Sequence, residues 1–308
     1  MKQFESIDDV YVYYADKIRN AQTAAPRGLL IKELIGEGFE IKDPRKRILG
    51  NTGRKMSLSF AVGEFLWYLR GSNSVKIMQY YSKIYPNFSD DGITAHGAYG
   101  PRIFGDKQNS MNSWQAIIEL LSRDPDSRQA IIPIYRAEDV GLQSRDIPCT
   151  CVLQFLLRSN KLNCITYMRS NDLYLGLPYD VFSFTMFQEL MSLALGVDLG
   201  FYKHIVGSLH VYEKHFDILE KIISAKPKTP IQMPPMTQLN TNQKCRILEE
   251  EERIRKKQEF ASTGIDLYWQ NLLYFLEKKA GMEFHEGNLK GMPVVVVQCG
   301  VGKVNAAM

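Results

Sequence analysis

Apolar residues Ile7, Val10, Tyr11, Tyr14 and Ile18 recur at helical spacing near the start of the chain and predict an amphipathic first helix. Pro26 and Gly28 bracket Arg27 and punctuate an exposed turn before the apolar segment LLIKELIGEGFEI. SLSFAVGEFLWYLRGSNS reads as a buried helix ended by Gly71, with Glu64 the one acid among Phe60, Val62, Phe65, Leu66 and Trp67. SWQAIIELLSR predicts a helix, Asp124, Pro125 and Asp126 a turn, and Ala130 to Tyr135 a strand. Two strands follow, Cys151 to Leu157 and Leu162 to Met168, then the loop SNDLYLGLPYD and a long apolar helix from Val181 to about Leu195. YKHIVGSLHVY reads as a strand leading into the helix EKHFDILEKII. The Pro-rich residues 225 to 236 predict a linker or edge crossing, and EEEERIRKK after them a solvated helical face. There are no internal repeats. Helices alternating with strands of mixed character predict an α/β or α+β domain on one sheet, whose strand order the pattern leaves open.

Composition narrows the class. The chain has 308 residues, 45% hydrophobic and 11% aromatic, which suits one large or two ordinary globular domains. A net charge of +4 without any long basic block argues against nucleic acid as a partner. The five cysteines lack CxxC spacing, so neither a disulfide framework nor a metal site is expected. Acidic residues stand where a signal peptide would be basic, and no span of membrane length occurs, so a cytoplasmic setting is expected.

The chemistry concentrates between Ile147 and Asp180. Cys149 follows Pro148 at the start of an apolar run, where a thiol is held rigidly enough for nucleophilic catalysis, and Arg128 and Arg169 lie at strand ends that can converge on it. A cysteine in a strand is otherwise packing, the reading that suits Cys164 and Cys299. Arg27, Arg128, Arg169 and Ser170 are donors at turns or strand ends, suited to a phosphate dianion or to ordinary surface ion pairs. Asp180 precedes a helix and fits the N-cap. His210 and Tyr212 share a strand face, for ligand contact or for half-buried packing.

Several blocks in order, GEFLWYLRG, AYGPR, PC followed by Gln154 and Phe155, RSNDLYLGLPYD and GSLHVYEKH, resemble the thymidylate synthase family over roughly residues 5 to 235. The resemblance implies a mixed sheet packed with helices and dimerised through that sheet, a pyrimidine nucleotide monophosphate as substrate, and 5,10-methylenetetrahydrofolate as one-carbon donor. A synthase has Asn, His and Asp where this chain has Asp180, Thr150 and Ser208, and these departures resemble the deoxycytidylate and cytidylate hydroxymethylase branch. An Asn amide serves uracil's O4 and N3–H. A carboxyl group suits cytosine, accepting from N4 and, if burial keeps it protonated, donating to N3.

Carried over residue by residue, the resemblance implies that Cys149 adds to C6 of the base, that C5 receives the one-carbon unit, and that water completes a hydroxymethyl group where a synthase would deliver hydride. Glu64 and Tyr99 match residues that organise water and proton transfer. Tyr85, Asp172, Gly176 and Tyr179 match folate-contacting positions, with Tyr85 and Phe88 replacing the tryptophans of typical synthases. Arg27, Arg169 and Ser170 match phosphate contacts, with Arg128 supplied across a homodimer, and Gln129 stands where a second arginine is usual. Gln154 is a substrate-binding match, and His210 and Tyr212 match the pair that binds the sugar 3' hydroxyl, which leaves ribose and deoxyribose both open. The family core is expected over residues 1–236 and a helical extension over 237–282. Residues 283–308 resemble the first strand and Gly loop of a methylthioadenosine or adenosylhomocysteine nucleosidase, or replace the family's C-terminal lid, with no nucleosidase activity expected. A thymidylate synthase acting on dUMP and a catalytically idle nucleotide-binding protein are the alternatives.

Overall fold

Ser6 turns the apolar stripe of the N-terminus into a helix: its Oγ accepts the Asp9 N–H at 3.3 Å, and Asp8 and Asp9 stand in the first turn where the helix dipole favours acids. A computed structural model describes residues 1–105, 112–226, 228–258 and 264–282. In chain order its helices are α1 (Ile7–Arg19), α2 (Leu58–Leu69), α3 (Val75–Tyr81), α4 (Tyr99–Phe104), α5 (Ser113–Arg123), α6 (Leu177–Leu195), α7 (Phe216–Ile223), α8 (Thr241–Arg255) and α9 (Leu267–Ala280). The strands are β1 (Lys2–Phe4), β2 (Thr23–Ala24), β3 (Ile31–Ile41), β4 (Ile131–Pro133), β5 (Thr150–Arg158), β6 (Lys161–Asp172) and β7 (Asp198–Tyr212). Among the described residues no helix is long and apolar enough to cross a membrane.

Residues 1–56, 117–136 and 149–233 form one compact unit around a 7-stranded sheet ordered β1-β3-β7-β6-β5-β4, with β2 on β3. It is the mixed sheet that the family resemblance implies: β5 and β6 form an antiparallel hairpin, whereas β6 and β7 run parallel and are joined through α6. The hairpin turns on Ser159 and Asn160, both left-handed at φ 50° and 57°, the geometry whose twist matches the flanking strands. Leu162, Cys164, Thr166 and Met168 of β6 are buried on one face. Gln188 of α6 ties that helix to the sheet by donating to the carbonyls of Leu162, Gly200 and Phe201. The other face leaves Val152, Ile165, Tyr167 and Ile205 partly exposed. Fully buried Arg47 pairs with Glu189, which also accepts from Arg45 at 2.7 Å, so two cations hold one carboxylate in the core.

Two sequence expectations are corrected in this unit. Helix α6 begins at Leu177, four residues before the expected Val181, because Pro178 is compatible with a first helical turn and Leu177, Pro178 and Tyr179 are buried. Gly176 is therefore the N-cap residue, and Asp180 lies inside the first turn with its own N–H on the Gly176 carbonyl at 3.0 Å. Around the Pro-rich crossing, Ile231 bridges Ile48 and Met233 N–H donates to Arg45 O at 3.0 Å, an edge crossing tied to the sheet unit.

Residues 57–116, 137–148 and 234–308 form the second unit, described as far as residue 282. Phe65 of α2 stacks on Trp269 of α9 with centroids 6.5 Å apart, and Asp139 is buried against Arg102 and His96. EEEERIRKK is not a solvated face. Ile247, Glu250, Glu251 and Ile254 are buried at the i, i+3, i+4, i+7 positions of one stripe, so two acids occupy core-facing sites. Glu251 is held there by Tyr81 at 2.7 Å, Arg70 at 2.8 Å and Arg255 at 2.6 Å, partners far away in sequence except the last. Residues 283–308, with their nucleosidase-like resemblance, lie outside the described residues.

All three tryptophans, Trp67, Trp114 and Trp269, lie in this second unit, so their fluorescence reports on it. Glu251→Ala strands two arginines and is expected to lower its stability in urea by about 3 kcal/mol, whereas exposed Glu249→Ala changes it by less than about 0.5 kcal/mol. Equal effects of the two variants would refute a structural role for the Glu251 cluster.

Candidate active site

The β5–β6 register brings the thiol and its cation together. Thr150 pairs with Met168, so Cys149, one residue before β5, faces Arg169: the Arg169 N–H donates to Cys149 O at 2.9 Å and Nη2 lies 3.7 Å from Sγ. A guanidinium at that distance favours the thiolate, the nucleophilic form. Cys149 is half-buried, reachable yet backed by strand. Cys164, on the same strand pair, is fully buried with its thiol pushed up to about 12 by desolvation, which fits packing.

Parallel pairing with β7 extends the row. Ser170 stands opposite Ser208, Asn171 opposite Leu209 and Asp172 opposite His210. On the far side of β7, Glu33 of β3 pairs with His210 and accepts from Ser208 Oγ at 2.5 Å. The His210 and Tyr212 rings meet edge-on at 5.1 Å. Burial holds the Tyr212 hydroxyl above its ordinary range, and a hydrogen bond with Arg27 opposes that shift. Arg27 is exposed and left-handed at φ 53°, an uncommon conformation for a residue with a side chain, between Pro26 and Gly28.

Where β6 ends, Asp172 shapes the turn into α6. Its Oδ1 accepts from Tyr174 N–H at 2.7 Å and Leu175 N–H at 2.9 Å, an Asx-type turn, while its buried Oδ2 has no hydrogen-bond partner. Burial raises the Asp172 carboxyl, with those backbone donors, His210 and His215 opposing. Arg54 braces the turn from below, donating through Nε and Nη2 to Tyr174 O and lying 5.1 Å from the ring centres of both Tyr174 and Tyr179.

The turn delivers Asp180 against Asn171. Asn171 Nδ2 donates to Asp180 Oδ2 at 2.6 Å, and a Cβ on Gly176 would come within 3.1 Å of that oxygen, so glycine leaves the pair its room. Desolvation raises the Asp180 carboxyl to about 7, the Asn171 bond pulls it down and the Asp172 charge pushes it up. Near neutrality the group therefore populates two forms: ionised, it only accepts hydrogen bonds; protonated, it both donates and accepts.

Of the remaining residues singled out from sequence, Gln154 of β5 donates to the carbonyl of exposed Arg128 at 3.1 Å, so both sit at the β4 edge of the sheet. Glu64, Tyr85 and Tyr99 belong to the second unit. There Glu64 is half-buried on α2, Tyr99 opens α4 stacked on Tyr68 at 5.2 Å, and Tyr85 meets Trp67 edge-on at 5.8 Å. Sequence reasoning missed Asn171, Arg54 and Glu33. Asn171 alone had a local signal, a polar residue in an apolar strand directly before Asp172.

In comparison with known proteins, the thymidylate synthase family profile matches residues 32–252. The chain belongs to the thymidylate synthase family. The matched span holds every site residue named above except Arg27. Among family relatives, the chain is 35% identical over 206 residues to a deoxyuridylate hydroxymethyltransferase of Bacillus phage SP01, covering 63% of this chain and 54% of that protein. It is 33% identical over 201 residues to a protein of the same name from Delftia phage PhiW-14, covering 61% of this chain and 55% of that one. The chain thus spans about half the length of these curated family members. Their names are consistent with a hydroxymethylase branch of the family, and the nucleotide they name is deoxyuridylate, not a cytidylate.

The Asp180 titration has a sign. A carboxyl raised from 3.8 to about 7 on folding stabilises the fold fully below pH 3.8 and loses that contribution as pH rises through about 7. Asp180→Asn removes the loss. Its melting temperature relative to wild type is expected to climb from about pH 4 to about pH 7 and then level off, as followed by calorimetry. A difference independent of pH would mean that Asp180 stays ionised throughout.

Proposed function

We propose that this chain is a (deoxy)cytidylate 5-hydroxymethyltransferase, which moves a one-carbon unit from 5,10-methylenetetrahydrofolate to C5 of CMP or dCMP and adds water, giving the 5-hydroxymethyl nucleotide and tetrahydrofolate. The observation that carries the base assignment is half-buried Asp180, whose carboxyl is poised near neutrality by desolvation where a synthase has an amide. Protonated, it donates to cytosine N3 and accepts from N4; the donated proton draws electrons from the ring and makes C6 more electrophilic.

In this reading the Cys149 thiolate, favoured by Arg169, adds to C6 and makes C5 nucleophilic. After transfer, loss of the C5 proton with departure of tetrahydrofolate leaves an exocyclic methylene, water adds to that carbon to give the hydroxymethyl group, and expulsion of Cys149 from C6 restores the ring. Glu64 and Tyr99 are assigned to ordering that water and relaying protons. Arg27, Arg169 and Ser170 hold the phosphate, and Gln154, His210 and Tyr212 position the nucleoside, with the HxY pair on the 3' hydroxyl. A homodimer through the partly exposed face of the sheet would bring Arg128 of the partner subunit to the phosphate, offsetting the glutamine at position 129.

The folate supplies the one-carbon unit when bound. The residues present fit it: the buried Asp172 Oδ2 lacks a partner and suits the N–H edge of a pterin, and Gly176 keeps the adjoining backbone open. Tyr179 adds aromatic surface beside them, and the resemblance assigns Tyr85 to the same molecule.

A second reading has its own support, since both relatives are named for deoxyuridylate and a neutral carboxyl can also donate to uracil O4 while accepting from N3–H. One assay separates the readings. The chain is offered dCMP, CMP, dUMP or UMP labelled with tritium at C5, with methylenetetrahydrofolate, and label release and product mass are followed. Release from a cytidine nucleotide with a hydroxymethyl product and no dihydrofolate is expected, and Cys149→Ala should abolish it. Release confined to dUMP would replace the base assignment, a methyl product with dihydrofolate would indicate a synthase, and silence with all four would indicate a nucleotide-binding protein.

A further inference from the structure

Asn171 is almost wholly enclosed, with 3% exposure, and its amide hydrogens have two acceptors: Asp180 Oδ2 at 2.6 Å and Met168 Sδ at 3.2 Å. Its Oδ1 is buried without a partner. The flipped amide would set Oδ1 against the thioether sulfur, which is an acceptor, and against a carboxyl oxygen that could meet it only by carrying the proton, so it would keep at most one of the two bonds. The donor orientation is therefore the one the surroundings select. It follows that Oδ2 of Asp180 is committed as an acceptor, and a proton on this carboxyl belongs on Oδ1.

That placement matters for base choice. Cytosine presents an acceptor at N3 beside a donor at N4; uracil presents a donor at N3 beside an acceptor at O4. A carboxyl whose proton moves freely between its oxygens satisfies either edge, whereas one with a settled proton satisfies a single edge. Oδ2 has a second lone pair, so it can accept from N4 while it holds Asn171, and Oδ1–H then meets N3.

Resting on the cytidylate reading above, we propose that Asn171 is the positioning residue for base selection, acting through the Asp180 carboxyl by fixing which oxygen carries the proton. It touches neither substrate nor reacting atoms in this role. Gly176 completes the device, since a side chain there would crowd both Asp180 Oδ2 and Asn171 Nδ2, at 3.1 and 3.4 Å from its Cβ.

The test compares the full-length wild type with Asn171→Leu, which keeps the volume and removes the donor, and Asn171→Ala, which adds no atoms and carries the test if the leucine variant fails to fold. Binding of dCMP and dUMP is measured by titration calorimetry across pH, beside the tritium-release rates. Both variants are expected to lower the dCMP-to-dUMP preference about tenfold, the worth of roughly one hydrogen bond. Both should also move the ionisation limb to higher pH, because the Asn171 bond holds Asp180 down while Asp172 and Tyr202, the other titratable groups that face it, are unchanged. An equal fall for both bases with an unmoved limb would overturn the proposal and leave Asn171 a packing residue. A wild type that favours dUMP, and loses that preference in the variants, would sink the cytidylate reading and keep the assignment of Asn171. A wild type that binds neither base would sink both.

Discussion

Strand β6 is the constraint on which the sheet unit depends. It pairs antiparallel with β5 and parallel with β7, and because each ladder fixes register, one strand sets the positions of groups drawn from three. Its antiparallel side brings the Arg169 guanidinium to the Cys149 thiol. Its parallel side aligns Ser170, Asn171 and Asp172 with the end of β7 that carries Ser208 and His210. A slip of one residue would turn Arg169 to the helix-covered face, where an unpaired cation is costly, so the register that builds the core also builds the site.

The last residues of β6 then convert a strand into a helix within a few positions. Asp172 has two duties that do not compete, because one oxygen caps the turn and the other stays open. Arg54 holds the same turn from a distant loop through backbone carbonyls and two aromatic faces, and its charge is spread over neutral partners. The result is a carboxyl, Asp180, held on the first turn of a rigid helix instead of on a loop. Rigid placement is what gives a single hydrogen-bonding group influence over which pyrimidine edge it meets.

Buried charge recurs across both units and is compensated in the same manner. Glu189 takes two arginines in the sheet unit, and Glu251 takes two arginines and a tyrosine in the other. Asp180 differs from both, since the side chain that donates to it, Asn171, is a neutral amide. Without a countercharge its proton affinity rises, and that separates a group suited to proton-dependent recognition from carboxylates that serve structure.

Much was legible in the sequence. Apolar periodicity located α1, α2, the β5–β6 pair and β7, because each buries one face against a core and so must repeat at the spacing of its backbone. The blocks around Cys149, Arg169, Asp180 and His210 pointed to the family, and the family profile matches the span that contains them. Local pattern misjudged the start of α6, where Pro178 looks like a breaker but suits a first turn, and α8, where Glu250 and Glu251 look solvated until their partners are known. Asn171, Arg54 and Glu33 stayed invisible for a related reason: their partners Asp180, Tyr174 and Ser208 come from other turns or other strands. Sequence by itself determined which chemical groups the chain carries and which segments are strands or helices, since both follow from residue type and short-range spacing. Only the tertiary structure decided which groups meet, how far burial raises the Asp180 carboxyl, and which of its oxygens is committed to Asn171, because desolvation and hydrogen bonding belong to the packed neighbourhood.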